Sequence, residues 1–262
     1  MELAKLLHLY DQDQRIEIEW PGQQREMAGP VIRHVDANRK WGFIAFSRLD
    51  ADSADIVIQT ERDAFFQRGY SLEWKLYTHD MPSDLGDRLA AHGFVLEEPE
   101  AIMVLDTEAL PPTLQGPVSP AIRRLDDPDQ VMAMLSVQQA VWEKEFDWLA
   151  EELADTLRTR PAELSVYAAY VEEVPVSSAW IRYTPHSRFA SLWGGSTLSA
   201  FRGQGHYTAL LAARVQEAAQ RGLRFLTVDA SPMSRPILEK HGFRVITWAR
   251  ECNWTNPTPT GA

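Results

Sequence analysis

One stretch of this 262-residue chain, Thr197-Leu198-Ser199-Ala200-Phe201-Arg202-Gly203-Gln204-Gly205-His206-Tyr207, joins an apolar, strand-like run to a long amphipathic segment. Gly203 and Gly205 allow the backbone to turn sharply and to approach a ligand with no Cβ in the way. The segment that follows, about 206–221, places Leu210, Leu211, Val215 and Ala218 on one face and reads as a helix. The first N–H groups of a helix lack intrahelical acceptors, and its dipole is positive at that end. No Asp or Glu occurs from Leu198 until Glu217, so nothing in the junction repels an anion. Strand, glycine turn and helix in this order make a cradle for a phosphate-bearing cofactor.

Composition narrows the class. The length suggests about two domains, and an apolar content of 45% with 9 Trp is ample for packed cores. The 26 basic and 37 acidic residues give a net charge of −11. Such a chain is a poor general binder of nucleic acid, whose affinity comes largely from neutralised phosphates. Cys252 is the single cysteine, which excludes an internal disulfide and a cysteine-rich metal site. The histidines show no metal-ligand spacing, and no Gly-x-x-x-x-Gly-Lys loop supports nucleotide hydrolysis. The chain begins Met1-Glu2-Leu3-Ala4-Lys5, with an acid where a signal peptide has bases, and that apolar run is too short to span a bilayer. A soluble, cytoplasmic protein without a membrane or metal partner is expected.

The Pro-rich run 110–120 admits neither a helix nor a central strand, and residues 111–120 read as a linker between domains at 1–110 and 121–262. The halves look like copies. Tyr77-Thr78-His79-Asp80 leads to Leu89-Ala90-Ala91-His92-Gly93-Phe94, just as Leu226-Thr227-Val228-Asp229 leads to Leu238-Glu239-Lys240-His241-Gly242-Phe243. Each half then has a further apolar run, at Ala101–Leu105 and Val245–Ala249. Each has upstream a helix ending Gln-Arg-Gly, at Gly69 and Gly222, a stop suited to the left-handed conformation. The second half reads as a short strand at 121–125, two helices, three strands at 165–171, 177–184 and 189–198, the long helix, then strand, helix and strand to Trp254. That order predicts an α+β fold around a mixed, mainly antiparallel sheet.

The element order and the Arg202-x-x-Gly205-x-Tyr207 motif together resemble the GNAT superfamily of acyl-CoA-dependent N-acetyltransferases. The resemblance covers about 121–252. It implies that Arg202, Gly203, Gln204, Gly205, His206 and Tyr207 hold the diphosphate of coenzyme A, with Tyr207 in place of the family's small residue. It further implies that the backbone of Thr197, Leu198 and Ser199 pairs with pantetheine and polarises the thioester carbonyl. Gly194-Gly195, inside the preceding strand, suggests the bulge such a strand needs. Ser234 stands where the family often contacts the coenzyme arm, and it is equally a good cap for the helix that follows. The family's proton-donating Tyr has Leu238 at its place. Asp229 is the candidate base or amine-orienting group, or else the opening of an Asx turn.

Trp142-Glu143-Lys144-Glu145-Phe146-Asp147-Trp148, with Glu151, Glu152 and Asp155, falls where the family frames its acceptor. The favoured reading is a solvated acidic helix face with its Trp residues turned to the core. The first half reads as a truncated, degenerate copy: its helix opens Thr60-Glu61-Arg62-Asp63, a Thr cap followed by acids that repel a diphosphate, with no glycine turn before it. The resemblance implies transfer of an acetyl group from acetyl-CoA to a primary amine of a small molecule or peptide by direct attack in a ternary complex. A non-catalytic acyl-CoA-binding protein and an assembly module are the alternatives, and the oligomeric state stays open.

Overall fold

The structure is a computed structural model that describes residues 1–257; the end of the carboxyl-terminal domain expected to reach Ala262 lies outside the described residues. In chain order the elements are α1 (Leu3–Asp11), a one-turn π-helical extension (Gln12–Ile16), β1 (Gln24–Ala28), β2 (Val31–Asp36), β3 (Trp41–Ser47), α2 (Ala54–Arg68), β4 (Ser71–Tyr77), α3 (Leu85–Ala91), β5 (Val95–Leu96) and β6 (Glu100–Asp106). There follow β7 (Ile122–Leu125), α4 (Val131–Trp142), α5 (Asp147–Thr159), β8 (Leu164–Val171), β9 (Val174–Tyr183) and β10 (Phe189–Thr197). The last elements are α6 (His206–Gln220), β11 (Phe225–Ala230), α7 (Arg235–Lys240) and β12 (Arg244–Trp254). This is the expected α+β arrangement of mixed, mainly antiparallel sheets flanked by helices.

Compactness divides the chain differently from a cut at the Pro-rich run. The first unit comprises Met1–Ile102, Ala230–Arg235 and the chain from Val245 onward; the second comprises Met103–Asp229 and Pro236–Arg244, so residues 111–120 lie inside it. The first unit has strand order β1-β2-β3-β4-β12 and the second β6-β11-β10-β9-β8-β7. The final strand of each sequence copy therefore completes the other copy's sheet. β12 pairs antiparallel with β4 from Ala249↔Tyr77 to Trp254↔Leu72, and beside β11 the Thr107 N–H donates to Arg224 O at 2.8 Å. Both runs are apolar and follow Gly-Phe, so either fits a half-buried sheet position and only tertiary packing selects the partner.

In the first unit, Ile58 and Phe65 of α2 pack with Leu72 and Trp74 of β4 and with Cys252 of β12. Burial of side chains this size stabilises by roughly 1.5–3 kcal/mol each. The helix does not open at Thr60 as expected. It begins at Ala54 behind Ser53, because Asp50 Oδ1 accepts from the N–H groups of Asp52 (3.1 Å) and Ser53 (2.8 Å) and closes the turn there. Thr60 sits mid-helix with its hydroxyl bonded back to Ile56 O at 2.7 Å, and Glu61 is buried against Arg33 at 2.6 Å. In the second unit, Leu125, Met134, Leu135, Leu149, Leu153 and Trp180 form the core between α4, α5 and the sheet.

Two predictions follow from this architecture. Residues 1–110 lack β12 and residues 121–262 lack β6, so neither piece expressed alone is expected to give a dispersed NMR spectrum, whereas the two co-expressed pieces are. His34 on β2 is fully buried, neither ring nitrogen has a hydrogen-bond partner, and burial with Arg25 nearby depresses its pKa to about 4. The unfolded chain therefore binds the extra proton between pH 6.5 and 4. Stability present above pH 6.5 is lost as pH falls through that window, by about 3 kcal/mol. Denaturant titrations of His34→Phe against the parent are expected to show that much less acid sensitivity.

Candidate active site

The site in the second unit starts from a defect in its sheet. β10 pairs in parallel with β11 only from Phe189↔Phe225 to Ser191↔Thr227, and beyond these residues the two strands part. On its other side β10 pairs with β9, but the register shifts between Trp193↔Trp180 and Ser196↔Ser178, so the two glycines stand opposite Ala179 alone. This is the bulge that Gly194-Gly195 suggested. Gly194 has φ 59°, and a Cβ there would lie 1.7 Å from the Trp180 ring; one on Gly195 would lie 2.7 Å from the Tyr207 ring. The aromatic ring that departs from the family pattern thus rests against the glycine face of β10. Burial raises the Tyr207 pKa and keeps the hydroxyl protonated.

Past Thr197 the chain makes a short 3₁₀ turn (Ser199–Phe201) and enters α6 through Gly203 (φ 75°) and Gly205 (φ 86°). Added Cβ atoms would meet nothing within 4 Å at either glycine, so the left-handed backbone, not space, demands them. The first intrahelical bond runs from Ala209 N–H to Gly205 O at 2.9 Å; the N–H groups of His206, Tyr207 and Thr208 precede it. The first turn carries no acid. Arg202 is exposed and its Nε donates to Thr197 O at 3.2 Å, while Gln204 Nε2 donates to Ala200 O at 3.2 Å. These two bonds pin the loop ahead of the helix. His206 meets Phe201 edge-on, and its Nε2 is buried without a hydrogen-bond partner.

The remaining candidates divide. Leu198 N–H donates to Val176 O at 3.0 Å and Leu198 O accepts from Phe201 at 2.9 Å, so its main chain is committed inside the fold. The strand end is carried by Thr197, whose Oγ1 bonds Ser177 Oγ at 2.7 Å, and by Ser199, whose carbonyl accepts from Arg202 N–H at 3.3 Å. Ser234 turns its hydroxyl onto Ser231, at 3.2 Å from Oγ and 3.3 Å from the carbonyl. Asp229 is half-buried near the end of β11, and Leu238 is fully buried. Thr227, the last paired residue of β11, has a buried hydroxyl without a hydrogen-bond partner.

Three features escaped the sequence reading. Gln138 of α4, only 3% exposed, donates from Nε2 to Gly194 O at 2.5 Å and to Ser178 Oγ at 2.9 Å. Arg214 of α6 is buried with no carboxylate beside it. It donates to Trp180 O at 3.2 Å and Trp193 O at 3.3 Å, and burial lowers its pKa to about 10. Trp142 and Trp148 are not turned to the core: they are 56% and 45% exposed, and α4 ends at Trp142, where Glu143 takes a left-handed conformation (φ 53°). Trp142 Nε1 donates to Ser196 Oγ at 3.1 Å, and Glu152 pairs with Arg182 at 2.5 Å.

The equivalent place in the first unit is built differently. β3 pairs in parallel with β4 from Trp41↔Ser71 to Ile44↔Trp74, and these strands also part beyond. Buried Arg15 bridges the gap: Nε donates to Ala45 O at 3.1 Å, and the guanidinium lies 3.8 Å from the Tyr77 ring centre. Asp80 grips it at 2.7 and 2.9 Å and Asp11 at 2.9 Å. The amides leading into α2 are claimed by the Asp50 carboxylate. Main chain and fork are both spent within the unit.

Among the described residues, no group of three or more His, Cys, Asp or Glu is placed to hold a metal ion, and no helix is long and apolar enough to cross a membrane.

Residues 128–243 match the family model of the acetyltransferase (GNAT) family. Solved structures of similar fold include a GCN5-related N-acetyltransferase from Kribbella flavida, at 17% identity and TM-score 0.67, with 98% of this chain and 94% of that one covered. A functionally unknown conserved protein from Staphylococcus epidermidis ATCC 12228 aligns at 13% identity and TM-score 0.67, covering 94% and 97%. A tandem GNAT protein from the clavulanic acid biosynthesis pathway aligns at 10% identity and TM-score 0.62, covering 98% and 95%. No curated protein sequence matches. The chain thus matches the GNAT family model over residues 128–243, and over nearly its whole length it shares the fold of GNAT acetyltransferases, a tandem GNAT protein among them.

Proposed function

We propose that the second unit transfers an acetyl group from acetyl-CoA to a primary amine of a small molecule or peptide. One observation carries this reading: the amides of Gly203–Thr208, with no acid in the first turn of α6, lie at the end of a strand that has parted from its neighbour. The site residues fit the cosubstrate. Arg202 and the N–H groups around Gly203, Gln204, Gly205, His206 and Tyr207 suit a diphosphate. The main chain of Thr197 and Ser199 suits the pantetheine amides.

In the ternary complex the amine nitrogen attacks the thioester carbonyl. The C–N bond forms, the C–S bond breaks, and sulfur leaves with the electron pair. The proton lost from nitrogen passes to a base, for which Asp229 is the candidate, and the sulfur regains a proton from solvent. Main-chain donors of the strand end stabilise the oxyanion between these events.

Calorimetry with acetyl-CoA tests the reading, with one equivalent per chain expected; no heat with intact protein overturns it. Gly205→Glu puts a side chain at φ 86° and a carboxylate at the helix mouth, and is expected to weaken binding at least about 100-fold while the protein stays folded, its melting temperature falling by only a few degrees. Asp229→Asn is expected to lower kcat by roughly 100-fold or more while leaving coenzyme affinity in place; unchanged turnover removes Asp229 from the chemistry.

The buried Leu238 favours a second reading, a non-catalytic acyl-CoA-binding protein, since no hydroxyl stands at that place. Thiol release assayed across polyamines, aminoglycosides, amino acids and peptides separates the two. Tight coenzyme binding with silence across the panel supports the second.

A further inference from the structure

The bulge of β10 is held from both faces of the sheet by side chains, all but Tyr207 of them outside the site motif. Doubling up Gly194 and Gly195 against Ala179 breaks the ladder and leaves carbonyl groups to be satisfied by other means. From one layer Gln138 Nε2 takes Gly194 O at 2.5 Å, and its Oε1 accepts from Ser196 Oγ at 3.1 Å. Only this orientation of the amide gives the Gly194 carbonyl a donor. Trp142 Nε1 reaches the same Ser196 Oγ at 3.1 Å, and Ser177 Oγ donates to Ser196 O at 2.6 Å. From the other layer Arg214 takes Trp193 O at 3.3 Å and Trp180 O at 3.2 Å, while the Tyr207 ring covers Gly195. Thus each residue from Trp193 to Ser196 is fixed by a side chain of α4, α6 or β9, immediately before Thr197.

We propose that Gln138 is a positioning residue for acyl transfer: by gripping the Gly194 carbonyl it fixes the bulge from which the strand end at Thr197 departs, and so sets the direction in which the main-chain donors of that end face the thioester. This rests on the acyltransferase reading above. Gln138 touches no substrate; it acts through the strand. A loosened bulge still leaves the α6 amides in place, so coenzyme binding and turnover separate on its loss.

Two variants test this. In Gln138→Glu a protonated carboxyl still donates to Gly194 O, whereas a carboxylate confronts the carbonyl with like partial charge. The ratio of its kcat to that of the parent is expected to rise at least about 10-fold as pH is lowered through the titration of that carboxyl. KM for acetyl-CoA is expected to stay within about threefold. Gln138→Met keeps the volume without a donor at any pH, and its kcat is expected to be about 10-fold low with no such pH dependence. Thermal unfolding confirms that each variant is folded, and Gln138→Met stands alone should Gln138→Glu fail to fold. Parental kcat in folded Gln138→Met, or a pH-independent ratio in folded Gln138→Glu, overturns the proposal while leaving the acyltransferase reading intact. Absence of coenzyme binding or turnover in the parent protein overturns that reading, and this proposal with it.

Discussion

The second unit depends on one extra residue in one strand. Opposite Ala179 alone, β10 places two glycines, a few residues after its parallel pairing with β11 ends at Ser191. A bulge is stable only if the carbonyl groups it frees find donors, since an unsatisfied buried polar group costs about 1–3 kcal/mol. Here they come from Gln138 and Arg214, on α4 and α6. The two helices that sandwich the sheet are thereby tied to its one irregular strand, and the loop entering α6 inherits its position from that strand's end.

The two units build equivalent places from different residues. Both have a parallel pair that parts, followed by a helix. In the first, an aspartate closes the turn before the helix, and an arginine clamped by two acids spans the fork. In the second, glycines in left-handed conformations make the same turn without spending its amides on a side chain. The difference between the units does not lie in acids at a helix start, because Glu61 lies inside α2 and is paired with Arg33.

Much of this was legible in the sequence. The turn at 202–207 could be read because the demands of a left-handed backbone are local and fall on glycine. Helix stops at Gly69 and Gly222 were legible for the same reason, both having positive φ. What stayed hidden depends on distant partners. The exchange of β6 and β12 is invisible because both runs have the same apolar pattern and sequence neighbours. Gln138 and Arg214 read as a polar and a charged residue on otherwise apolar helix faces, with nothing to show that carbonyls of a broken ladder await them. Thr60 was misleading since Thr before Glu suits a helix start, yet an Asx turn seven to ten residues upstream opens the helix earlier.

The place of Cys252 has a practical consequence. It lies in the core of the first unit, fully shielded, with burial pushing its thiol up to about 12. The folded chain is therefore inert toward disulfide reagents. The same sulfur becomes reactive only when β12 lets go of β4, so the rate of its alkylation is a clock for that opening.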